Sequence, residues 1–232
     1  MRLDLFLANH KDIKTRSKAS DLIKRGFIAV NGKVVLKAGY ELSDDDQVEV
    51  LTDTFYASRG GEKLFHALQA FSLSLKDLVI VDVGASTGGF TDVALKDGAK
   101  FVYAYDVGKD QMIESLINHP QVESHEETNI LDVKLPLHDL CLIDVSFTSV
   151  LPILSYVATY SKRILFLLKP QFETEGKGLK KGILKDQKMH QMVMNQTTKH
   201  VTQLNYLIKG FVPSPIVGKD GNKEYLFYIE RS

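Results

Sequence analysis

Residues 78–92 read Leu78-Val79-Ile80-Val81-Asp82-Val83-Gly84-Ala85-Ser86-Thr87-Gly88-Gly89-Phe90-Thr91-Asp92. An apolar run rich in β-branched side chains gives way to a glycine-rich turn and then to a helical start. The segment therefore predicts a buried strand, a tight turn and a helix, in that order. Glycine carries no Cβ, so such a turn lets a ligand come close to the backbone.

The same alternation continues downstream. Phe101-Val102-Tyr103-Ala104-Tyr105 predicts a second strand. It ends in Asp106, about 20 residues after the turn, where an acidic side chain of a Rossmann-type half grips ribose hydroxyls. Leu140-Cys141-Leu142-Ile143 before Asp144, and Ile164-Leu165-Phe166-Leu167-Leu168 before Lys169, predict two more buried strands. Ligands of a doubly wound sheet bind at the carboxyl ends of its strands, so Asp82, Asp106, Asp144 and Lys169 are expected to converge on one edge. Taken singly, each polar residue also has a plainer reading. Asp144 reads as a helix cap, Lys169 as a strand-end lysine snorkelling to water, Lys63 in Ser58-Arg59-Gly60-Gly61-Glu62-Lys63-Leu64 as a surface residue, and Glu224 in Gly221-Asn222-Lys223-Glu224-Tyr225 as part of a charged turn. A dinucleotide is the obvious competing ligand for the glycine turn. The glycines do not follow G-x-G-x-x-G, however, and Asp82 sits badly against a pyrophosphate. A cationic sulfonium with an amino-acid tail suits it better.

At 232 residues the chain exceeds one average domain, so a small module joined to a medium one is the natural expectation. A composition 44% hydrophobic and 25% charged is that of a globular protein rather than a disordered one. Lys+Arg and Asp+Glu stand at 29 each, so any nucleic-acid affinity must come from local clustering. The single cysteine, Cys141, lies in an apolar run and reads as a buried strand thiol. With no disulfide framework possible, a reducing cytosol fits. The apolar stretches are strand-length and the N-terminus lacks a signal peptide, so a cytoplasmic protein without a membrane span is expected. The histidines, among them His119, His125, His138, His190 and His200, do not cluster at ligand spacing, and no metal site is expected.

Residues 1 to about 50 differ in character from the rest of the chain. Leu3, Leu5, Phe6 and Leu7, then Ala19, Leu22 and Ile23, predict two helices. Asn31-Gly32 predicts a hairpin between Phe27-Ile28-Ala29-Val30 and Val34-Val35-Leu36, and another strand is expected over Gln47 to Leu51. Lys11, Lys14, Arg16, Lys18, Lys24, Arg25, Lys33 and Lys37 fall within one stretch that holds only Asp12 and Asp21 in opposition. Composition alone reads this patch as a solvated face.

The runs Arg2-Leu3-Asp4, Thr15-Arg16-Ser17-Lys18-Ala19, Leu22-Ile23-Lys24-Arg25-Gly26 and Val30-Asn31-Gly32-Lys33-Val34 closely resemble the RNA-binding domain named after a small-subunit ribosomal protein and shared by pseudouridine synthases. That resemblance implies that Lys14, Arg16, Lys18, Lys24, Arg25 and Lys33 face the phosphates and riboses of folded RNA. Ser-Arg-Gly-Gly at 58, Asp-Val-Gly-Ala-Ser-Thr-Gly-Gly-Phe-Thr-Asp at 82, Asp-Val-Ser-Phe at 144 and Lys-Pro-Gln-Phe-Glu at 169 make residues 58–230 similar to the FtsJ-like RNA 2′-O-ribose methyltransferases. The whole chain resembles the TlyA family, whose members were often labelled haemolysins. The resemblance implies an α/β architecture: a Rossmann-like S-adenosylmethionine-dependent methyltransferase sheet with a small N-terminal α+β RNA-binding domain. The expected boundaries are 1–51 for the RNA-binding domain, 52–62 for a linker and 63–232 for the catalytic domain.

The same resemblance implies S-adenosyl-L-methionine as cofactor and ribosomal RNA or a ribosomal subunit as partner, with neither DNA nor a membrane involved. The implied activity is cytidine 2′-O-methylation. The absence of an N-terminal extension ahead of Arg2-Leu3-Asp4, with an end two residues after Glu230, resembles the shorter members associated with large-subunit RNA alone. The family's catalytic set falls on Lys63, Asp144, Lys169 and Glu224, with Glu224 preferred to Glu230 because it precedes the last strand, Tyr225-Leu226-Phe227-Tyr228-Ile229. Cofactor contacts fall on Gly84, Ala85, Ser86, Gly88, Gly89 and Phe90 along the turn, on Asp106 at the ribose and on Asn129 at the adenine. Ser58 and Arg59 line the same mouth, Asp82 acts through water or the turn backbone, and helix packing by Gly88 and Gly89 is compatible with these roles.

The chemistry needs such a set. A ribose 2′-hydroxyl is a poor nucleophile, so a base must take its proton as it attacks the activated methyl in line. Lys169 does this only as a neutral amine, a state that a dry strand end and the nearby Lys63 favour and that the carboxylates of Asp144 and Glu224 oppose. Those carboxylates also orient the amine, and Lys63 stabilises negative charge on the attacking oxygen. Three rival functions remain open: a non-catalytic RNA-binding or ribosome-assembly factor, a membrane-active haemolysin, and a methyltransferase for small molecules or proteins. The second needs a spanning or strongly amphipathic segment, which the sequence lacks. The third leaves the basic N-terminal module without a purpose.

Overall fold

The computed structural model describes residues 1–9, 13, 15–51, 56–218 and 221–232. The chain divides into two compact units, Met1–Phe55 and Tyr56–Ser232.

In the first unit, α1 (Leu3–Ala8) and α2 (Arg16–Lys24) pack on a three-stranded antiparallel sheet of β1 (Ile28–Val30), β2 (Lys33–Val34) and β3 (Val48–Val50), ordered β2-β1-β3. Leu3 and Leu7, one turn apart on α1, are buried with Ala19, Leu22 and Ile23 of α2 against Ile13, Ile28 and Val30. Thr15 caps α2 by accepting from the Lys18 amide at 3.2 Å. Asn31 and Gly32 both take left-handed backbone angles, φ 52° and 71°, and so join Val30 to Lys33 in a two-residue turn matched to the strand twist.

The second unit runs α3 (Arg59–Ala70), β4 (Val79–Val83), α4 (Gly89–Lys96), β5 (Phe101–Tyr105), α5 (Glu114–Ile117), β6 (Val122–His125), β7 (Leu140–Ile143), α6 (Val150–Val157), β8 (Arg163–Leu168), the small hairpin β9 (Leu179–Lys180) and β10 (Ile183–Leu184), α7 (Gln187–Gln203), β11 (Tyr206–Pro213) and β12 (Tyr225–Arg231). Seven strands form one sheet, β11-β12-β8-β7-β4-β5-β6. β4 to β8 are mutually parallel, whereas β12 is antiparallel to both β8 and β11. The chain steps outward from β4 through β5 to β6, then returns to β7 and β8 on the other side, so the direction of winding reverses between β4 and β7. Ligands of open α/β sheets bind at such a crevice.

Strand residues alternate between two cores. Ile80, Leu165 and Leu167 face Leu64, Leu68, Phe90 and Val93 of α3 and α4. Val81, Phe166 and Leu168 face Ile153, Leu154, Val193 and Val201 of α6 and α7. Both faces are covered, which is why these strands are continuously apolar rather than alternating. Cys141 is buried in the second core, where burial pushes its thiol well above the usual range.

Helix α3 starts at Arg59, so residues 59–62 are its first turn and not part of a linker reaching Lys63. Gly60-Gly61 reads as a flexible joint in isolation. In the fold the missing side chain lets α3 lie on the start of α4, since a Cβ on Gly61 would stand 3.0 Å from the Gly89 carbonyl oxygen and 2.5 Å from Tyr56 Cβ.

Candidate active site

Asp106, Asp144 and Lys169 are the first residues beyond the carboxyl ends of β5, β7 and β8, so the parallel registers bring them to one rim of the sheet. Glu224 arrives from the opposite direction. Because β12 is antiparallel to β8 with Tyr225 opposite Leu168, the residue before β12 stands beside the residue after β8. Lys63 reaches the group from the second turn of α3.

Two buried lysine–carboxylate pairs result. Lys63 Nζ donates to Glu224 Oε2 at 2.6 Å. Lys169 Nζ lies 2.7 Å from Asp144 Oδ1 and donates to Ser146 Oγ at 2.6 Å. Lys63, Lys169 and Glu224 are each less than one-tenth exposed. Charged groups are held out of water in this way only when paired.

The glycine turn packs directly on this cluster. Gly84 has φ +81°, and a Cβ there would come within 2.6 Å of the Asp144 carbonyl oxygen. The turn amides are mostly spent within the protein. Gly84 and Ala85 donate to the Tyr105 carbonyl, Gly88 to the Ala85 carbonyl and Ser86 to Asp106 Oδ2. The nearby charge is negative, from Asp106 and Asp144. Asp82 lies one residue inside the end of β4 and is fully buried; Thr91 Oγ1 donates to its Oδ2 at 2.7 Å, and its Oδ1 has no protein partner. Burial pushes this carboxyl up to about 7, the Thr91 hydroxyl opposing and the fields of Asp144 and Asp106 adding to the rise. An acidic rim with engaged turn amides suits a positively charged ligand and disfavours a pyrophosphate.

The other residues expected to contact the cofactor divide by environment. Ala85 and Phe90 are buried in the core. Gly88 packs against Leu116, and Gly89 against Ser58 Oγ, so helix packing explains both. Asp106 organises the rim, since Gly108 also donates to its Oδ1 at 2.7 Å. Asn129 is exposed and caps a short 3₁₀ turn by accepting from the Leu131 amide. Ser58 caps α3, accepting from the Gly60 amide at 3.2 Å. Arg59 turns toward the loop before β12 and donates to the Val217 carbonyl at 2.8 Å.

Several contributors carry no periodic signal in the sequence. Gly218 packs against the Glu224 carboxylate. Asn222, buried, accepts from the Leu184 amide at 2.9 Å and donates to the Gly182 carbonyl at 2.9 Å, tying the β9–β10 hairpin to the turn that carries Glu224. Glu173 of the Lys-Pro-Gln-Phe-Glu segment accepts from the Val150 amide at 2.8 Å, fixing the start of α6. Glu126 accepts from the amides of Asp110, Gln111 and Met112, which draw its carboxyl below the usual range and order the loop after Asp106. Phe147 is 90% exposed at a left-handed φ of 64°, its ring 5.5 Å from that of Phe172.

In the first unit, Arg16, Lys18, Lys24 and Arg25 lie on or just beyond α2 and Lys33 opens β2; Lys14 lies outside the described residues. Arg16 is held by the buried Asp4, whose Oδ2 it meets at 3.1 Å, and Arg2 bonds both oxygens of the same carboxylate at 3.0 Å. Arg25 pairs with Asp21 at 3.2 Å and stacks over Phe27 at 4.6 Å, so it is partly committed within the unit.

A family model described as FtsJ-like methyltransferase matches residues 56–231, and one described as S4 domain matches residues 1–48. The chain is 35% identical over 239 residues to the 16S/23S rRNA (cytidine-2'-O)-methyltransferase TlyA of Mycobacterium tuberculosis, covering 98% of this chain and 89% of that protein. It is 33% identical over 252 residues to the 23S rRNA (cytidine-2'-O)-methyltransferase TlyA of Campylobacter jejuni, covering 98% of each. The solved structure of a Streptococcus thermophilus protein described as a hemolysin superposes with a TM-score of 0.77 at 34% identity, over 100% of this chain and 88% of that one.

Proposed function

This chain belongs to the FtsJ-like methyltransferase family and carries an S4 domain ahead of it, and from that premise we propose that it methylates the 2′-hydroxyl of a cytidine in ribosomal RNA, of the large subunit, in the cytoplasm. The observation that carries the reading is the double lysine–carboxylate cluster, Lys63 with Glu224 and Lys169 with Asp144, at the strand ends beside the glycine turn. The M. tuberculosis and C. jejuni relatives are both named for cytidine 2′-O-methylation, and 23S rRNA is common to their names.

S-adenosylmethionine, when bound, supplies an electrophilic methyl on a sulfonium leaving group. The residues present fit it: Asp106 and Asp144 stand at the strand ends as a negative rim, and the buried Asp82 behind them carries one oxygen without a protein partner. Asp106 would hold the ribose and Asn129 the adenine, with Ser58 and Arg59 at the mouth.

Lys169, as a neutral amine, would accept the proton of the attacking 2′-hydroxyl, and the Asp144 carboxylate 2.7 Å from Nζ would stabilise the ammonium that results. Lys63, fixed by Glu224, stabilises the negative charge that builds on the attacking oxygen. Arg16, Lys18, Lys24, Arg25 and Lys33, with Lys14, bind RNA phosphates and ribose in a shape-led way. A membrane-active role has no comparable support, since no described helix is long and apolar enough to cross a bilayer.

The test is transfer of labelled methyl to ribosomal subunits from a strain lacking the protein, with wild type and Lys169→Ala in parallel. Label in 2′-O-methylcytidine of the large subunit, lost with the variant, is expected. Label on the small subunit would move the substrate, and no label despite cofactor binding would favour a non-catalytic assembly factor.

A further inference from the structure

We propose that Ser146 is the positioning residue that aims the Lys169 amine at the attacking hydroxyl, an inference that rests on the reading of Lys169 as the base. Ser146 belongs to the Asp-Val-Ser-Phe segment after β7, and its Oγ accepts a hydrogen bond from Lys169 Nζ at 2.6 Å. Asp144 Oδ1 meets the same nitrogen at 2.7 Å, but only as an ion pair without hydrogen-bond geometry. The charge on this amine is balanced by Asp144, and its direction is set by Ser146.

Direction matters because a neutral primary amine has two N–H bonds and one lone pair. Rotation about Cε–Nζ moves the lone pair among three staggered positions. With one N–H held by Ser146, the lone pair is restricted to the two remaining staggered positions. A hydroxyl is well matched to this task, since it accepts from the amine in either protonation state. Being uncharged, it orients the nitrogen without adding a second negative charge that would hold the proton on it.

The Lys169–Ser146 bond is built into the fold. Phe147 and Phe172, which come after Ser146 and Lys169 in their segments, pack ring to ring at 5.5 Å. Glu173 binds the Val150 amide and Ser149 Oγ. The two segments are thus clipped together just after that bond, and the pairing of β7 with β8 holds them just before it. Ser146 is itself exposed, so changing it leaves no buried hole.

Single-turnover methyl transfer to the large subunit, with Ser146→Ala, Ser146→Thr and Lys169→Ala beside wild type, tests the inference. Ser146→Ala is expected to slow the chemical step by about 10- to 100-fold, with cofactor and RNA affinities within about twofold of wild type, and Ser146→Thr to restore most of the rate. A Ser146→Ala rate equal to wild type, with Lys169→Ala inactive, overturns the role of Ser146 and leaves the base assignment standing. A loss that threonine does not repair, or that comes with weakened binding, assigns Ser146 to packing and also overturns it. Activity in Lys169→Ala overturns the base assignment, and the role of Ser146 with it.

Discussion

Lys63 Nζ and Glu224 Oε2 meet at 2.6 Å across 161 residues of chain, with both side chains buried. Removing one partner leaves the other charged and dry, which typically costs about 3–5 kcal/mol. Lys63→Ala and Glu224→Ala are therefore expected to lose stability and activity together. The double replacement Lys63→Met with Glu224→Leu should recover most of the stability in urea denaturation while methyl transfer stays absent. Recovery of activity in the double variant would mean that the pair serves folding alone.

Asp82 gives the catalytic unit a pH-dependent stability. Its carboxyl titrates near 7 in the fold against an ordinary value of 3.8, so between those limits the native state holds a proton that the unfolded chain does not. Stability from this group is full below about pH 4 and is lost as pH rises through about 7. Asp82→Asn, neutral throughout, should gain on wild type by roughly 2–4 kcal/mol between pH 4 and pH 8. Denaturation curves at both pH values check this, and parallel slopes for the two proteins would show that Asp82 is already ionised when buried.

Gly84→Ala is expected to impair the site from behind. The substituted Cβ would press on the Asp144 carbonyl from 2.6 Å, at a backbone angle that L side chains resist. Asp144 must then shift, and its partner Lys169 with it. A displacement of about 1 Å at a reacting group costs on the order of a hundredfold in rate. Single-turnover rates should fall at saturating cofactor; a change confined to cofactor affinity would place the effect in the turn alone.

Asp4 separates orientation from charge in the RNA-binding unit. Hydrogen bonds from Arg2 hold its carboxyl well below the usual range, opposed by burial and helped by Arg16. Asp4→Asn makes the unit more positive yet releases both guanidinium groups, so RNA affinity should fall while the slope of affinity against salt stays the same. Arg16→Ala should instead lower that slope by about 0.7 to 0.9 for each phosphate that Arg16 neutralises. Tighter binding by Asp4→Asn in a salt titration would mean that net charge, not arginine orientation, governs capture.

Much of the fold was legible because its signals are local. The run from Leu78 to Val83 with its glycine turn, the Asn31-Gly32 hairpin and the apolar strands ending at Asp106, Asp144 and Lys169 each announce themselves within a few residues. Helix α3 was harder to delimit. Gly60-Gly61 looks like a joint until Gly89 is seen lying against it, and that packing is made by a segment almost 30 residues away. Asn222 and Glu126 were silent for the same reason, since their partners are backbone groups of distant loops.

The sequence by itself determined the element types, the two-part organisation into helix–hairpin and strand–helix regions, and the identity of the chemical groups, because side-chain periodicity and turn chemistry act over short spans. Tertiary structure decided which groups meet. Strand order reversed between β4 and β7, and antiparallel pairing of β12 with β8 set Glu224 beside Lys169 and within reach of Lys63. Those relations depend on register and on packing between elements far apart in the chain, and the same packing removes water from the lysine–carboxylate cluster, so that charges which would be weakly coupled on a surface act on one another at close range.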